Sequence, residues 1–251
     1  MADLSSLLTV YEHDPDDAQV LGALPAAARA AAPELAAHRF AAARKLLSSR
    51  GRPDAVVALI EAELSANDDA NRKADLYLEQ GMVLESEVCD PKAARAAFER
   101  VLELRANDAM AKEGLDEVEL SRANWQKFAA KYVKEATAST DRSLATGLYA
   151  SAAEAYVKFS PDAPEAEQYL RKALEIDGKN GKAAFHLGRL LRRAERWQDL
   201  GELLDDRAER AATPEERVAA LLELHEIARG PIGNAPRAER AVKRAIGIDP
   251  A

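Results

Sequence analysis

The sequence is short of cysteine, of aromatic residues and of long apolar runs, and these shortages exclude whole classes of protein. Its one cysteine, Cys89, cannot form a disulfide within the chain, which excludes a secreted fold held by internal disulfides. We expect this cysteine to fill space in a core. No stretch is long and apolar enough to cross a bilayer, and the first residues lack the basic segment and apolar run of a signal peptide. We therefore expect a soluble, cytoplasmic protein.

Motifs for catalysis, metal binding and cofactor binding are also missing. There is no Gly-x-Gly-x-x-Gly stretch and no phosphate loop, and the four histidines (His13, His38, His186 and His225) are scattered. His225-Glu226 begins like the helix of a zinc protease, but Arg229 stands where that motif needs its second histidine. The abundant carboxylates recur at helical spacing from Arg or Lys, so we expect them on solvated faces. We expect no enzymatic activity, no metal site and no bound cofactor.

The composition favours helices and disfavours nucleic acid as a partner. Hydrophobic residues make up 47% of the chain, enough for a continuous core, and many of them are alanines, which favour helices. The formal net charge is −8, whereas non-specific nucleic-acid binding needs a basic surface. This charge is uneven, because residues 1–32 carry −4 and residues 180–251 carry +1.

A segment resembling a helix occurs three times, and its core positions repeat at a spacing of 72 residues. It covers residues 91–104, 164–177 and 236–250, and each copy contains a proline in its first turn. The residues at its expected core positions are Ala94, Ala166 and Ala238; Phe98, Leu170 and Val242; and Leu104, Ile176 and Ile248. Trp125 and Trp197 are also 72 residues apart. Repetition on this scale is typical of a solenoid, in which each repeat buries its apolar face against its neighbours.

Apolar residues recur at helical spacing along nearly the whole chain, interrupted by short polar or Gly/Pro segments. This punctuation predicts three four-helix repeats, near residues 33–106, 108–178 and 180–250, in an array over 33–251. Two further helices, near 2–12 and 16–31, form an N-terminal cap over 1–32, and Pro25 should kink or break the second of them. A break is also expected at Ala123-Asn124. Asp249-Pro250 resembles the segment that links one repeat to the next, so either the last helix ends the protein with an exposed flank or, as we expect, the array continues beyond residue 251 in a longer parent protein.

At half of this period the sequence resembles the tetratricopeptide repeat, a helix–turn–helix of about 34 residues. The resemblance is carried by Leu187-Gly188 in a first helix and by second helices such as Ala166…Leu170…Ala173. It implies an all-α, right-handed solenoid of antiparallel helix pairs, whose concave groove binds a peptide, a helix or a domain. Arg196-Trp197-x-x-Leu200 is also similar to helices of long bacterial scaffold arrays.

The candidate binding residues form a basic stripe on one predicted helix. They are Lys182, Phe185, Arg189, Arg192 and Arg193, which the resemblance places in the concave groove. The corresponding residues one repeat earlier are Met110, Glu113, Glu117, Leu120 and Ser121, which are largely acidic and apolar. Because arginine binds carboxylates through two hydrogen bonds, the stripe favours an acidic peptide or domain. The alternative is a solvated face paired with acids of the same chain.

Two functions remain open on the sequence alone. The first is a non-catalytic scaffold that binds protein partners, with no role for nucleic acid or membrane insertion. The second is a structural spacer or self-associating segment of a larger repeat protein, joined through its C-terminal helix. Trp125 and Trp197 are each expected to open the second helix of a pair and to pack into the joint between helices rather than to bind a partner.

Overall fold

The computed structural model describes residues 3–249, and every regular element in that range is helical. The predicted all-α class is therefore confirmed. Pro250, expected at the end of the last repeat, lies outside the described residues. The helices are α1 (Leu4–His13), α2 (Ala18–Ala30), α3 (Pro33–Ser49), α4 (Pro53–Ala66), α5 (Ala70–Val83), α6 (Pro91–Leu104), α7 (Ala109–Ala138), α8 (Arg142–Phe159), α9 (Pro164–Ile176), α10 (Gly181–Arg193), α11 (Trp197–Arg210), α12 (Pro214–Arg229) and α13 (Ala235–Ile248). None of them combines the length and apolarity needed to cross a membrane.

The chain forms two compact units, Met1–Asn124 and Trp125–Ala251. In the first, α1 to α4 enclose one core, in which Tyr11, Phe40 and Ile60 are almost fully buried. A second core lies around Phe98, between α5, α6 and the beginning of α7. A single π-helical turn, Leu84–Val88, extends α5 and leads to Cys89, which is buried as expected.

The second unit is a series of helices in which each packs against the next. Contacts join α8 to α9, α9 to α10, α10 to α11, α11 to α12 and α12 to α13. Its main core contains Leu170, Leu187, Leu200 and Leu224, each 1% exposed. Serial packing of helix hairpins is the arrangement expected for repeats that bury their apolar faces against neighbours.

Polar side chains cap the helices where the sequence places Asp, Asn or Thr before the first turn. The Asp90 carboxylate accepts a hydrogen bond from the Ala93 amide at 3.0 Å, and the Asn180 side chain accepts one from Ala183 at 2.9 Å. The Thr213 hydroxyl accepts from the Glu216 amide at 3.2 Å. These bonds satisfy amides that have no partner within the helix, and so they fix where the helices begin.

Most of the repeated apolar positions are buried. Ala94, Ala166 and Ala238 are at most 3% exposed, as predicted. Leu104, however, is 37% exposed, so the prediction of a core residue there is wrong. It is the last residue of α6.

A cation–π contact between a tyrosine and a basic residue also recurs at the 72-residue spacing. The Arg100 guanidinium carbon lies 5.8 Å from the Tyr77 ring centre, and the Lys172 amine lies 5.2 Å from that of Tyr149. Tyr77 and Tyr149 are 72 residues apart, as are Arg100 and Lys172. The pairs α5–α6 and α8–α9 therefore pack in the same register.

One expected helix break is absent, and a proline that was expected to kink or break its helix does not break it. Helix α2 runs through Pro25, with Leu24 and Ala28 buried on either side of it. Helix α7 runs through Ala123-Asn124, so Trp125 lies inside a helix, whereas Trp197 opens α11 as predicted.

Local chemistry explains the difference between the two tryptophans. The Asn124 side chain donates to the Leu120 carbonyl of its own helix at 3.0 Å and caps no new helix. Before Trp197, Glu195 takes the left-handed conformation, with φ of 53°, which ends α10. Trp125 does pack between helices as expected, with ring centres 5.3 Å from Tyr156 and 6.1 Å from Phe159.

Candidate binding face

All five predicted binding residues lie on α10, and they point away from its buried side. Ala183, Ala184, Leu187 and Leu191 are buried in the core of the second unit. This leaves a surface stripe, the α10 face, which consists of Lys182, Phe185, Arg189, Arg192 and Arg193. The three arginines are exposed, and Lys182 and Phe185 are half-buried.

Acids of neighbouring segments pair with cations of the α10 face. The Lys182 amine lies 2.9 Å from the Glu154 carboxylate of α8, and Arg193 lies 2.9 Å from Asp162 in the turn before α9. Arg192 forms an ion pair with Glu223 of α12. The alternative of a paired face therefore applies to part of the stripe, although these three cations remain between 34% and 60% exposed.

Arg189 and Phe185 form the middle of the face. The guanidinium carbon of Arg189 lies 5.7 Å from the ring centre of Phe185, within the range of a cation–π contact. This contact places a planar group with several hydrogen-bond donors beside an apolar ring. The pair can therefore contact both a carboxylate and an apolar side chain.

His186, beside Phe185, lies in the electrostatic field of these cations. It is 1% exposed, and burial lowers its pKa to about 3, with further contributions from the positive charges of Arg189, Lys182 and Lys158. The imidazole is thus neutral at physiological pH. Three cations from α8 and α10 therefore add to the effect of burial at this one position. Nothing in the sequence singles out this histidine from the other three.

The pKa of His186 predicts a loss of stability in mild acid. The unfolded chain takes up a proton near pH 6.5 that the folded chain takes up only at about pH 3, so stability falls as the pH drops through this window. Relative to a His186→Leu variant, the wild type should lose about 2 kcal/mol of unfolding free energy between pH 7 and pH 5.

Urea denaturation of both proteins at the two pH values measures this difference. Carboxylates titrate in both proteins, and so the comparison with His186→Leu isolates the histidine. Equal losses of stability in the two proteins would contradict the assignment of a buried, neutral His186.

No group of three or more His, Cys, Asp or Glu side chains is placed to hold a metal ion within residues 3–249.

No family model matches the sequence, and comparison with curated protein sequences gives no match.

Comparison with solved structures finds similar helical proteins. One is YrrB, described as a TPR protein with an unusual peptide-binding site. The two sequences are 21% identical, the alignment covers 72% of this chain and 89% of YrrB, and the TM-score is 0.35. The chain is similar in fold to a tetratricopeptide-repeat protein. Another similar structure is yeast Tom70, which is 12% identical in sequence. The alignment covers 96% of this chain and 72% of Tom70, and the TM-score is 0.29.

Proposed function

We propose that the chain is a non-catalytic scaffold that binds an acidic peptide or an acidic surface of a protein on the α10 face. The observation that supports this function best is the concentration of four cations and one aromatic ring on a single helix face. An acidic partner complements this face in charge, and the ring of Phe185 adds apolar contact.

The ion pairs within the chain do not close this face to a partner. Exposed ion pairs contribute only about 0–1 kcal/mol each, because water screens both charges. A partner carboxylate can therefore replace Asp162 at Arg193 at little cost, because these two side chains are 81% and 60% exposed. The partner gains charge-assisted hydrogen bonds of the kind that guanidinium groups form with carboxylates.

A charge-reversal variant tests the assignment. We expect the triple variant Arg189→Glu, Arg192→Glu and Arg193→Glu to lose a partner that the wild type captures from a lysate of the native host. Reversal replaces each attraction by a repulsion and should weaken binding by at least about 100-fold, since like charges brought together cost several kcal/mol.

A matched control changes the charge by the same amount elsewhere in the second unit. Lys179, Arg240 and Lys243 are all exposed, so their reversal to Glu should retain the partner. Mass spectrometry identifies the captured proteins, and far-UV circular dichroism checks that both variants keep their helicity. Retention of the same partner by both variants removes the α10 face as its binding site. If nothing is captured by any of the three proteins, the spacer function becomes the better explanation.

A further inference from the structure

We propose that the α10 face also binds a second copy of this chain, through an acidic face on α7. The α7 face consists of Met110, Glu113, Glu117 and Leu120, spaced 3, 4 and 3 residues apart and so aligned along one side of the helix. This proposal rests on the proposed function only in using the α10 face as a binding surface.

The apolar residues of the α7 face are unusually exposed. Met110 is 55% exposed and Leu120 is 59% exposed, which makes Leu120 the most exposed large apolar side chain of residues 3–249. The two lie at opposite ends of the stripe, with the acids between them. An apolar pair in this position gains from being covered by another surface.

The acids of the α7 face also lack partners within the described chain. Glu113 and Glu117 are exposed, and neither forms an ion pair with any of residues 3–249. Glu119, on another side of the same helix, pairs with Arg95 and with Arg122. The two carboxylates are therefore available to cations from outside the chain.

The two faces match in length and in chemistry. Met110 and Leu120 are ten residues apart, as are Lys182 and Arg192, and this separation is about 15 Å along a helix. Glu113 and Glu117 complement the cations of the α10 face in charge. Met110 or Leu120 can cover the apolar ring of Phe185 on the same face. Charge complementarity of this kind selects partners and fixes their alignment.

Such an association is head-to-tail, because the two faces are different surfaces of one chain. Each pair of copies still presents one unoccupied α7 face and one unoccupied α10 face, so growth continues beyond a dimer unless a ring closes. The mean mass should therefore rise steadily with concentration. It should fall when salt is raised from about 0.05 M to about 0.5 M, because salt screens charges at surfaces.

Sedimentation equilibrium of the full chain, from about 1 μM to about 1 mM, tests the proposal over the range expected for a weak contact. The variant Glu113→Lys with Glu117→Lys should remain monomeric throughout, and so should Arg189→Glu with Arg192→Glu. Mixing the two variants in equal amounts should restore association, because each then meets a face of opposite charge. Circular dichroism verifies that both variants remain folded.

Two results would overturn the proposal. One is a wild-type chain that stays monomeric over the whole range. The other is association that survives both charge reversals and is lost instead in Ile246→Ser, which would place the contact on α13, where Ile246 is 57% exposed. A monomeric chain that still captures its partner through the α10 face leaves the proposed function intact, so the two failures are distinguishable.

Discussion

Replacement of Glu63 by glutamine should lower the free energy of unfolding by about 3–5 kcal/mol, the usual cost of breaking a buried ion pair. The side chains of Glu63 on α4 and Arg44 on α3 are both 4% exposed, and they meet at 2.5 Å. The other oxygen of Glu63 accepts from Arg72 of α5 at 2.5 Å. Arg44 also donates to Glu79 of α5 at 2.8 Å. Glu63 thus joins three helices, and its neutralisation leaves a buried guanidinium short of its closest countercharge.

An exposed ion pair of the same unit provides the control for this prediction. Glu99 pairs with Arg95 at 2.9 Å on the surface of α6, and the side chains are 50% and 47% exposed. Glu99→Gln should change the stability by less than about 0.5 kcal/mol. Urea denaturation followed by far-UV circular dichroism measures both variants. Similar, small effects in the two would contradict the role assigned to Glu63.

Replacement of Phe98 by alanine should cost about 3–5 kcal/mol, as expected for removing a buried aromatic ring. Phe98 is 3% exposed, and its ring fills the space left by two glycines. A Cβ atom added to Gly81 of α5 would lie 2.5 Å from the ring, and one added to Gly114 of α7 would lie 2.7 Å from it. Gly81→Ala should therefore also destabilise the chain, by about 1–3 kcal/mol through overpacking.

Replacing a glycine that lies in open space by alanine should have the opposite effect on the free energy of unfolding. Gly147 lies in α8, and nothing lies within 4 Å of the position that an added Cβ atom would occupy. Gly147→Ala should therefore stabilise the chain by about 0.5–1 kcal/mol through helix propensity alone. Thermal unfolding of the two alanine variants compares them directly. A Gly81→Ala protein as stable as Gly147→Ala would show that the ring does not fill this space.

Helical periodicity predicted the all-α class and the side of α10 that faces outward, because both depend on local spacing. Ala183, Leu187 and Leu191 recur at intervals of four, which leaves Arg189 and Arg192 on the other side. The acids that meet the cations of this face were not predictable in the same way. They belong to α8, to the turn before α9 and to α12, and only the packing of these segments against α10 and α11 brings them near.

The buried ion pair of the first unit was missed although the sequence contains a signal for it. Arg44 falls among Phe40, Ala43 and Leu47 on the apolar side of α3, and Glu63 follows Leu59 and Ile60 at helical spacing. A charged residue at an apolar position of a helix is rarely buried unless it is paired. One such residue on each of two successive helices predicts a buried pair. The expectation that carboxylates lie on solvated faces is therefore wrong for Glu63.

The continuity of α7 could not be inferred by analogy with α11. Trp125 and Trp197 share a register, but the residues before them differ in chemistry. Glu195 adopts the left-handed conformation that ends α10, whereas Ala123 and Asn124 continue their helix. Repeats that agree in their apolar positions can therefore differ in their turns. The prediction of four helices in the second repeat, near residues 108–178, is therefore wrong, since α7, α8 and α9 alone occupy it. The bounds of the three repeats over residues 33–251 stay a prediction.

Hydrogen exchange of the full chain, with and without its captured partner, is the most direct test of the proposed binding face. We expect amide exchange to slow in α10 (Gly181–Arg193) and in the neighbouring α8 and α12 when the partner is bound. We also expect this protection to be lost in the variant with Arg189, Arg192 and Arg193 reversed to Glu. Protection confined to other helices, with exchange in α10 unchanged, would show that the partner binds elsewhere.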